Sequence, residues 1–299
     1  MNDFLQTSTA GQLIVTRAAS LLTDGRNSSS SECASENDQF YTTEEVAVSC
    51  LQSCGRYFDL TKLQLVEPSA GTGSLYKHMQ AGSIGIDTHP KFPGVRRANF
   101  LDTEISANRD IATIGNPPFG RNASLAKKFV NHAASFSRYI GFILPRSFRK
   151  SAIVNSLDEN LHLIHDEDIP DYAFLFEGKP HNVRTAFQIW ERREEPRARI
   201  PVETSHPDFE FTEWSDADFA IQRVGAQAGK LHREFKKSKN SHYFIRESGS
   251  ELAPGFVEAV MRQLDLARVA SNVVAVPSLA KSEIIFLYKE YKWLIGASF

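Results

Sequence analysis

Apolar residues recur every three or four positions through residues 9–23 ("TAGQLIVTRAASLLT"), the spacing of a short amphipathic helix. The serine-rich residues 24–38 that follow have no apolar period and predict a flexible linker. "TTEEVAVSCLQSC" then offers Thr42 or Thr43 as a helix N-cap, with acids in the first turn and apolar spacing behind them. From residue 63 the pattern changes. Short apolar runs at 63–68, 83–89, 96–102, 110–116 and 138–145 predict five strands, with helices predicted over 73–80 and 124–136. Strands alternating with helices predict right-handed crossovers and a mostly parallel sheet. Two more alternating runs, 172–178 and 184–193, predict a terminal antiparallel hairpin at the sheet edge, for seven strands in all.

After "ERREEPRARIP" the strand–helix alternation stops, which sets a boundary near 195–205. Residues 1–37 are thus expected to be a helix and linker, 38–198 an α/β domain, and 199–299 a small α+β extension. Within the extension, 254–268 has helical spacing and 272–291 looks strand-like.

Composition narrows the choice of chemistry. The formal net charge of -2 over 299 residues gives no global attraction to nucleic acid, so any such role rests on a local patch. Cys33, Cys50 and Cys54 do not form a four-ligand zinc set, and His78, His132, His162, His165 and His181 lack a metal spacing with acid partners, so no metal is expected. No apolar run reaches the roughly 18 residues that span a bilayer. With no basic-then-apolar leader at residue 1, a cytoplasmic protein without a membrane partner is expected.

Two turns carry the candidate chemistry. The first strand runs into "EPSAGTGSL", where Gly71 and Gly73 flank Thr72 at a tight strand-to-helix turn, and the next strand ends in Asp87. An acid about 20 residues after the first strand's end suits ribose hydroxyls. The third glycine of a dinucleotide site is missing, which favours a smaller adenosine ligand with an amine-and-carboxylate tail. The fourth strand ends in Asn116-Pro117-Pro118-Phe119. An exocyclic amine such as adenine N6 is a poor nucleophile because its lone pair is delocalised into the ring. Two acceptors, the Asn116 amide oxygen and a rigidly held Pro117 carbonyl, would localise that lone pair, and Phe119 would stack on the base. In duplex DNA the base would have to be flipped out.

These residues resemble the class I S-adenosylmethionine-dependent amino-methyltransferases, in particular the adenine-N6 DNA branch, over about residues 38–193. "QFYTTEEVA" resembles the family's leading motif, with Thr43 in place of its usual proline. "VEPSAGTGSL" resembles the cofactor loop, "ANFLD" the segment around the cofactor's adenine, with Asn99 where the family often has Asp, and "NPPFG" the catalytic motif. The resemblance implies a Rossmann-like methyltransferase fold and S-adenosyl-L-methionine as cofactor. It implies cofactor contacts at Thr42, Glu67, Ala70, Gly71, Thr72, Gly73, Asp87, Asn99 and Phe100, and catalysis by Asn116, Pro117, Pro118 and Phe119. The motif order is that of the gamma arrangement, in which the C-terminal part recognises the target. RNA adenine methyltransferases share "NPPF", so RNA is the alternative substrate, and a catalytically silent nucleic-acid-binding partner is a third reading.

The C-terminal part supplies basic residues for that surface: Arg146 and Arg149 after the fifth strand, and Lys230, Arg233, Lys236, Lys237 and Lys239 beside Phe235, Tyr243 and Phe244. Pro170-Asp171 with Glu177-x-Lys179 superficially resembles a metal-dependent nuclease. Five residues between the pairs are too few for carboxylates from neighbouring elements, and no nuclease is expected.

Overall fold

The computed structural model describes residues 40–176, 178–249, 252–273 and 276–296. The expected N-terminal helix and linker lie outside the described residues, except for the start of the leading motif at Phe40. Two compact units are present: one runs to Pro145 and resumes over Asn155–Arg199, and the other comprises Arg146–Val154 and the chain from Ile200.

The first unit begins with β1 (Tyr41–Thr42) and α1 (Glu44–Gly55), then β2 (Gln64–Glu67), β3 (Ile84–Asp87), β4 (Arg96–Arg97), β5 (Ile111–Gly115), α2 (Ser124–Ala134) and β6 (Tyr139–Pro145). After the second unit's short α3 (Ser151–Val154) come β7 (Leu161–Asp168), β8 (Phe174–Phe176), β9 (Lys179–His181) and β10 (Thr185–Arg192). Seven strands form one sheet in the order β4-β3-β2-β5-β6-β10-β7. It is a Rossmann-like α/β sheet: β4, β3, β2, β5 and β6 are parallel, and β10 is antiparallel to β6 and β7. Chain order reverses between β2 and β5, so the switch point, where open α/β sheets bind ligands, lies beyond Glu67 and Gly115. All five residues of β5 are buried, as a central strand covered on both faces requires. Val46, Ala47, Cys50, Leu51 and Cys54 of α1 join Leu65, Ala112, Ile114, Ile143 and Phe187 of the sheet in one core.

Several expectations are corrected. The helix expected over 73–80 is one 3-10 turn, Tyr76–His78. The Tyr76 hydroxyl donates to the Ser83 carbonyl at 3.1 Å, holding the chain to a short return before β3. The strand expected over 96–102 has only Arg96–Arg97 paired, and Phe100–Asp102 forms a 3-10 turn. The expected edge hairpin does not form. β8 joins β1 and β9 in a separate three-stranded sheet, and β10 is the penultimate strand of the main sheet. The outer strand is β7, "LHLIHDED", whose half-exposed polar residues carry no apolar run.

β7 is fastened to α1 by polar contacts. Ser53 Oγ donates to Glu167 Oε1 at 2.7 Å, and His165 lies 3.2 Å from Glu167 Oε2. The His165 contact first, then Ser53 and Arg56, hold the Glu167 carboxyl below the ordinary range against the effect of burial. A carboxyl lowered in the folded state contributes stability above its unfolded value of about 4.3 and loses it as pH falls through the folded value. Glu167→Gln is therefore expected to lower the unfolding midpoint at pH 6 and to flatten its decline toward pH 3, as followed by thermal melts.

The second unit carries a four-stranded antiparallel sheet in the order β11-β14-β12-β13, made of Phe209–Thr212, His242–Glu247, Phe219–Gln222 and Leu231–His232. The helix expected over 254–268 is two, α4 (Phe256–Gln263) and α5 (Leu266–Ala270), the second capped by the Asp265 side chain. The strand-like run 272–291 instead contains most of α6, Lys281–Leu294. Buried Ile284, Ile285 and Tyr288 recur with helical, not alternating, spacing, and Glu283 accepts a hydrogen bond from the Ala280 amide at 2.7 Å to start the helix.

Candidate active site at the sheet switch point

The turn after β2 and the turn after β5 meet directly. Ser69 Oγ donates to the Asn116 carbonyl at 2.9 Å. Gly115 has no Cβ where one would stand 3.0 Å from Pro68 Cδ, so the two strand ends approach closely. Sequence reasoning passed over Ser69, whose role depends on this long-range approach.

Asn116 is oriented by the leading segment. Its Nδ2 donates to the Phe40 carbonyl at 3.3 Å and to Thr42 Oγ1 at 3.1 Å. A carbonyl can only accept, so the amide nitrogen belongs on this side and the oxygen faces the other way. Asn116 Oδ1 is buried and has no hydrogen-bond partner among the described residues. No described group donates to the Pro117 carbonyl either. Two acceptors from adjacent residues are thus without a donor among the described residues, and the amide is a costly group to leave unpaired. Pro117 is buried and Pro118 exposed. Phe119 packs half-buried against the core, and its carbonyl receives the Leu125 and Ala126 amides that start α2. Other aromatic rings lie nearby: Phe40 stacks on His181 at 4.9 Å between centroids and lies 5.5 Å from Phe176.

The glycine turn is shaped by its neighbours. Gly71 and Gly73 have φ of 48° and 81°, a region that side chains with a Cβ rarely occupy. The Gly71 amide donates to Asp87 Oδ2 at 2.8 Å and the His89 amide to Oδ1 at 2.7 Å, so Asp87 braces this loop while keeping unused lone pairs. Ala70 is buried, and Thr72 is exposed with its hydroxyl 3.3 Å from Ser74 Oγ. Glu67 at the end of β2 is 2% exposed, and its Oε2 has no partner among the described residues. Burial pushes its carboxyl well above the usual range, and the charge of Asp87 adds to the rise, against a hydrogen bond from the Tyr76 amide.

The remaining candidates are less uniform. Asn99 spends its side chain on a local cap, accepting from the Leu101 amide and donating to Asp102 Oδ2 at 2.6 Å. The Phe100 ring is not at a ligand surface. It is 1% exposed and packed among Phe129, His132 and Phe136, so only its backbone can face a ligand. Arg146 and Arg149 lie in a 3-10 turn of the second unit, and both have partners. The expected basic patch is not evenly cationic: Arg233 pairs with Glu258, Lys237 with Glu234 at 3.0 Å and Lys239 with Glu213 at 3.6 Å. Lys230 and Lys236 have no acid partner among the described residues. Among the described residues no group of three or more His, Cys, Asp or Glu could hold a metal ion, and no helix is long and apolar enough to cross a membrane.

No family model matches the chain, and no curated protein matches it. Among solved structures, the chain is similar to the 23S rRNA methyltransferase ErmE, with 13% identity and a TM-score of 0.39 over 53% of this chain and 71% of that one. It is similar to the type I restriction-modification methyltransferase subunit from Streptococcus thermophilus, with 16% identity and a TM-score of 0.37 over 54% of this chain and 46% of that one. It is also similar to magnesium protoporphyrin IX methyltransferase from Synechocystis PCC 6803 with bound SAM, with 13% identity and a TM-score of 0.36 over 50% of this chain and 79% of that one.

Proposed function

We propose that this chain is an S-adenosylmethionine-dependent methyltransferase acting on the N6 amino group of adenine in DNA. The observation that carries the reading is the buried, unpartnered Asn116 Oδ1, on a residue whose backbone carbonyl Ser69 ties to the turn after β2. Two acceptors in a water-poor corner suit a group with two N–H donors, which is what an exocyclic amine presents. When bound, S-adenosylmethionine supplies an electrophilic methyl on a sulfonium.

The residues divide the work. Gly71, Thr72 and Gly73 form the turn against which the cofactor lies, and Asp87 takes its ribose hydroxyls. Glu67 Oε2, buried without a partner among the described residues, would pair with a cationic amine on the cofactor, which would offset the burial that raises its carboxyl. Asn99 and the Phe100 backbone border the cofactor's adenine. Thr42, occupied with Asn116, acts by fixing the catalytic amide. Asn116 Oδ1 and the Pro117 carbonyl would accept hydrogen bonds from the two amine N–H groups and so direct the nitrogen lone pair toward the methyl carbon. With the cofactor bound, an N–C bond would form as the S–C bond breaks, leaving a neutral thioether, and the methylated amine would lose its surplus proton to solvent. The aromatic group of Phe40, Phe176 and His181, near the Asn116 amide, would be the stacking partner for an extruded base.

The test is methylation of matched DNA and RNA oligonucleotides with cofactor labelled in the methyl group. Label in DNA at adenine N6 is expected. Label in structured RNA alone overturns the choice of DNA, and label in neither overturns the enzyme.

Ser69 yields a separate expectation. Its hydroxyl touches neither reactant but joins the two turns, so Ser69→Ala should misalign them. Small misplacements of reacting groups lower rates by up to about 100-fold. We expect kcat to fall roughly tenfold or more with the KM for DNA little changed, and Ser69→Thr, which keeps the hydroxyl, to restore much of it. Steady-state kinetics on the three proteins decide this.

A further inference from the structure

The second unit has a cleft of its own. A 3-10 turn, Trp214–Asp216, and the loop after β13 border an open cleft of about 650 Å³ lined by Trp214, Arg233, Glu234, Phe235, Lys236 and Lys237. Its size is that of a small-molecule site. Trp214 is 56% exposed, a large aromatic side chain left more than half open to solvent. The cations beside it are available: Lys236 has no acid partner among the described residues, and Lys237 is held only by Glu234 in an exposed pair. Solvent and salt screen an exposed pair of this kind, so a phosphate can displace the glutamate readily.

We infer that this cleft binds an unpaired nucleotide of a DNA strand, with the base stacked on the Trp214 indole and its phosphates on Lys236 and Lys237. An exposed indole lining the same cleft as two lysines matches a π-faced base joined to an anionic backbone. A paired base has its faces covered by its neighbours in the stack, so the indole selects an unpaired strand. The inference rests on the proposed function for its choice of DNA, since extruding a base for methylation leaves unpaired nucleotides. It adds Trp214, which lies outside the basic run that the sequence singled out, and it gives Lys236 the leading role among the lysines of that run.

Tryptophan fluorescence of the full chain reports on the cleft without cofactor or turnover. Trp190 is buried and Trp293 is 74% exposed, so a Trp293→Phe background leaves Trp214 as the accessible emitter among the described residues. Titration with oligothymidylate is expected to quench it. Trp214→Ala, at an exposed position that the fold does not need, should weaken binding roughly tenfold by anisotropy of a labelled strand. Lys236→Ala should reduce the slope of log affinity against log salt by about one. Equal affinity of Trp214→Ala and the parent chain overturns the site, as does oligothymidylate binding without quenching. Tighter binding of oligouridylate overturns the choice of DNA. Quenching without methyl transfer would keep the cleft and remove the proposed reaction, whereas methyl transfer without quenching would do the reverse.

Discussion

Asn116→Ala is expected to abolish methyl transfer while leaving cofactor affinity intact. The amide is built to present one atom. Nδ2 is tied to the Phe40 carbonyl and Thr42 Oγ1, and Oδ1 is left buried without a partner. A native protein keeps an unsatisfied buried acceptor at a loss of about 1–3 kcal/mol, which a reacting amine would recover. Removing one preorganised hydrogen-bonding group from a transition state typically lowers kcat by about 100- to 1000-fold. Ser69 reaches the Asn116 backbone and not its side chain, so the glycine turn should survive the truncation. Calorimetry with the cofactor and single-turnover rates with labelled methyl measure the two effects separately. Asn116→Asp retains an acceptor and loses the donor to Phe40, so its rate should fall between those of the alanine variant and the parent. Full activity in Asn116→Ala would remove the residue from the chemistry, and loss of cofactor binding would show that it holds the turn instead.

What the sequence made legible follows from range. β2, β3, β5, α2 and β6 were each readable because their apolar residues repeat locally with the period of the element they form. The glycine bend and the "NPPF" corner were readable because backbone-restricted residues mark turns wherever they occur. Their meeting at the switch point then followed from topology. The failures have equally physical causes. β7 lies at the sheet edge, where half-exposed His, Asp and Glu replace the apolar run that signals a strand. β10 sits inside the sheet because β7 covers it, a pairing no local window contains. In α6 the β-branched and aromatic residues of "SEIIFLYKEY" favour a strand by propensity. The buried stripe of Ile284, Ile285 and Tyr288 sets the helix instead, a tertiary preference overriding a local one. The strands of the second unit were hidden among charges. Phe100 and Phe119 illustrate the limit at the site: their positions in the motifs were plain, yet their rings are turned into packing. Phe40 and Ser69 became visible only when segments distant along the chain were placed together.

A pair of glycine substitutions should separate the strain of a turn from the space it occupies. Gly73 and Gly82 have nearly the same backbone, with φ of 81° and 85°, and an alanine at either adopts a left-handed conformation at about 1–2 kcal/mol. Their surroundings differ. A Cβ at Gly82 meets nothing within 4 Å, whereas one at Gly73 would stand 2.4 Å from Phe92 Cγ and 2.9 Å from its Cβ. Those are the near atoms of the side chain, so a change of rotamer gives little relief. Overpacking of this kind adds roughly 1–3 kcal/mol. The displacement also has somewhere to go: Lys91, next to Phe92, donates its amide to the Gly71 carbonyl at 2.9 Å, so moving Phe92 pulls on the other glycine of the turn. Gly82→Ala should lower the melting midpoint by roughly 2–8 °C and leave calorimetric cofactor affinity unchanged. Gly73→Ala should lower it by about twice as much and weaken cofactor binding at least roughly tenfold, because the turn the cofactor lies against is what deforms. Phe92→Ala in the Gly73→Ala background should recover part of the binding, by opening the space that the new methyl needs. Equal behaviour of the two single variants would mean that the Phe92 contact does not shape the cofactor turn. Intact binding in a destabilised Gly73→Ala protein would place the cofactor elsewhere.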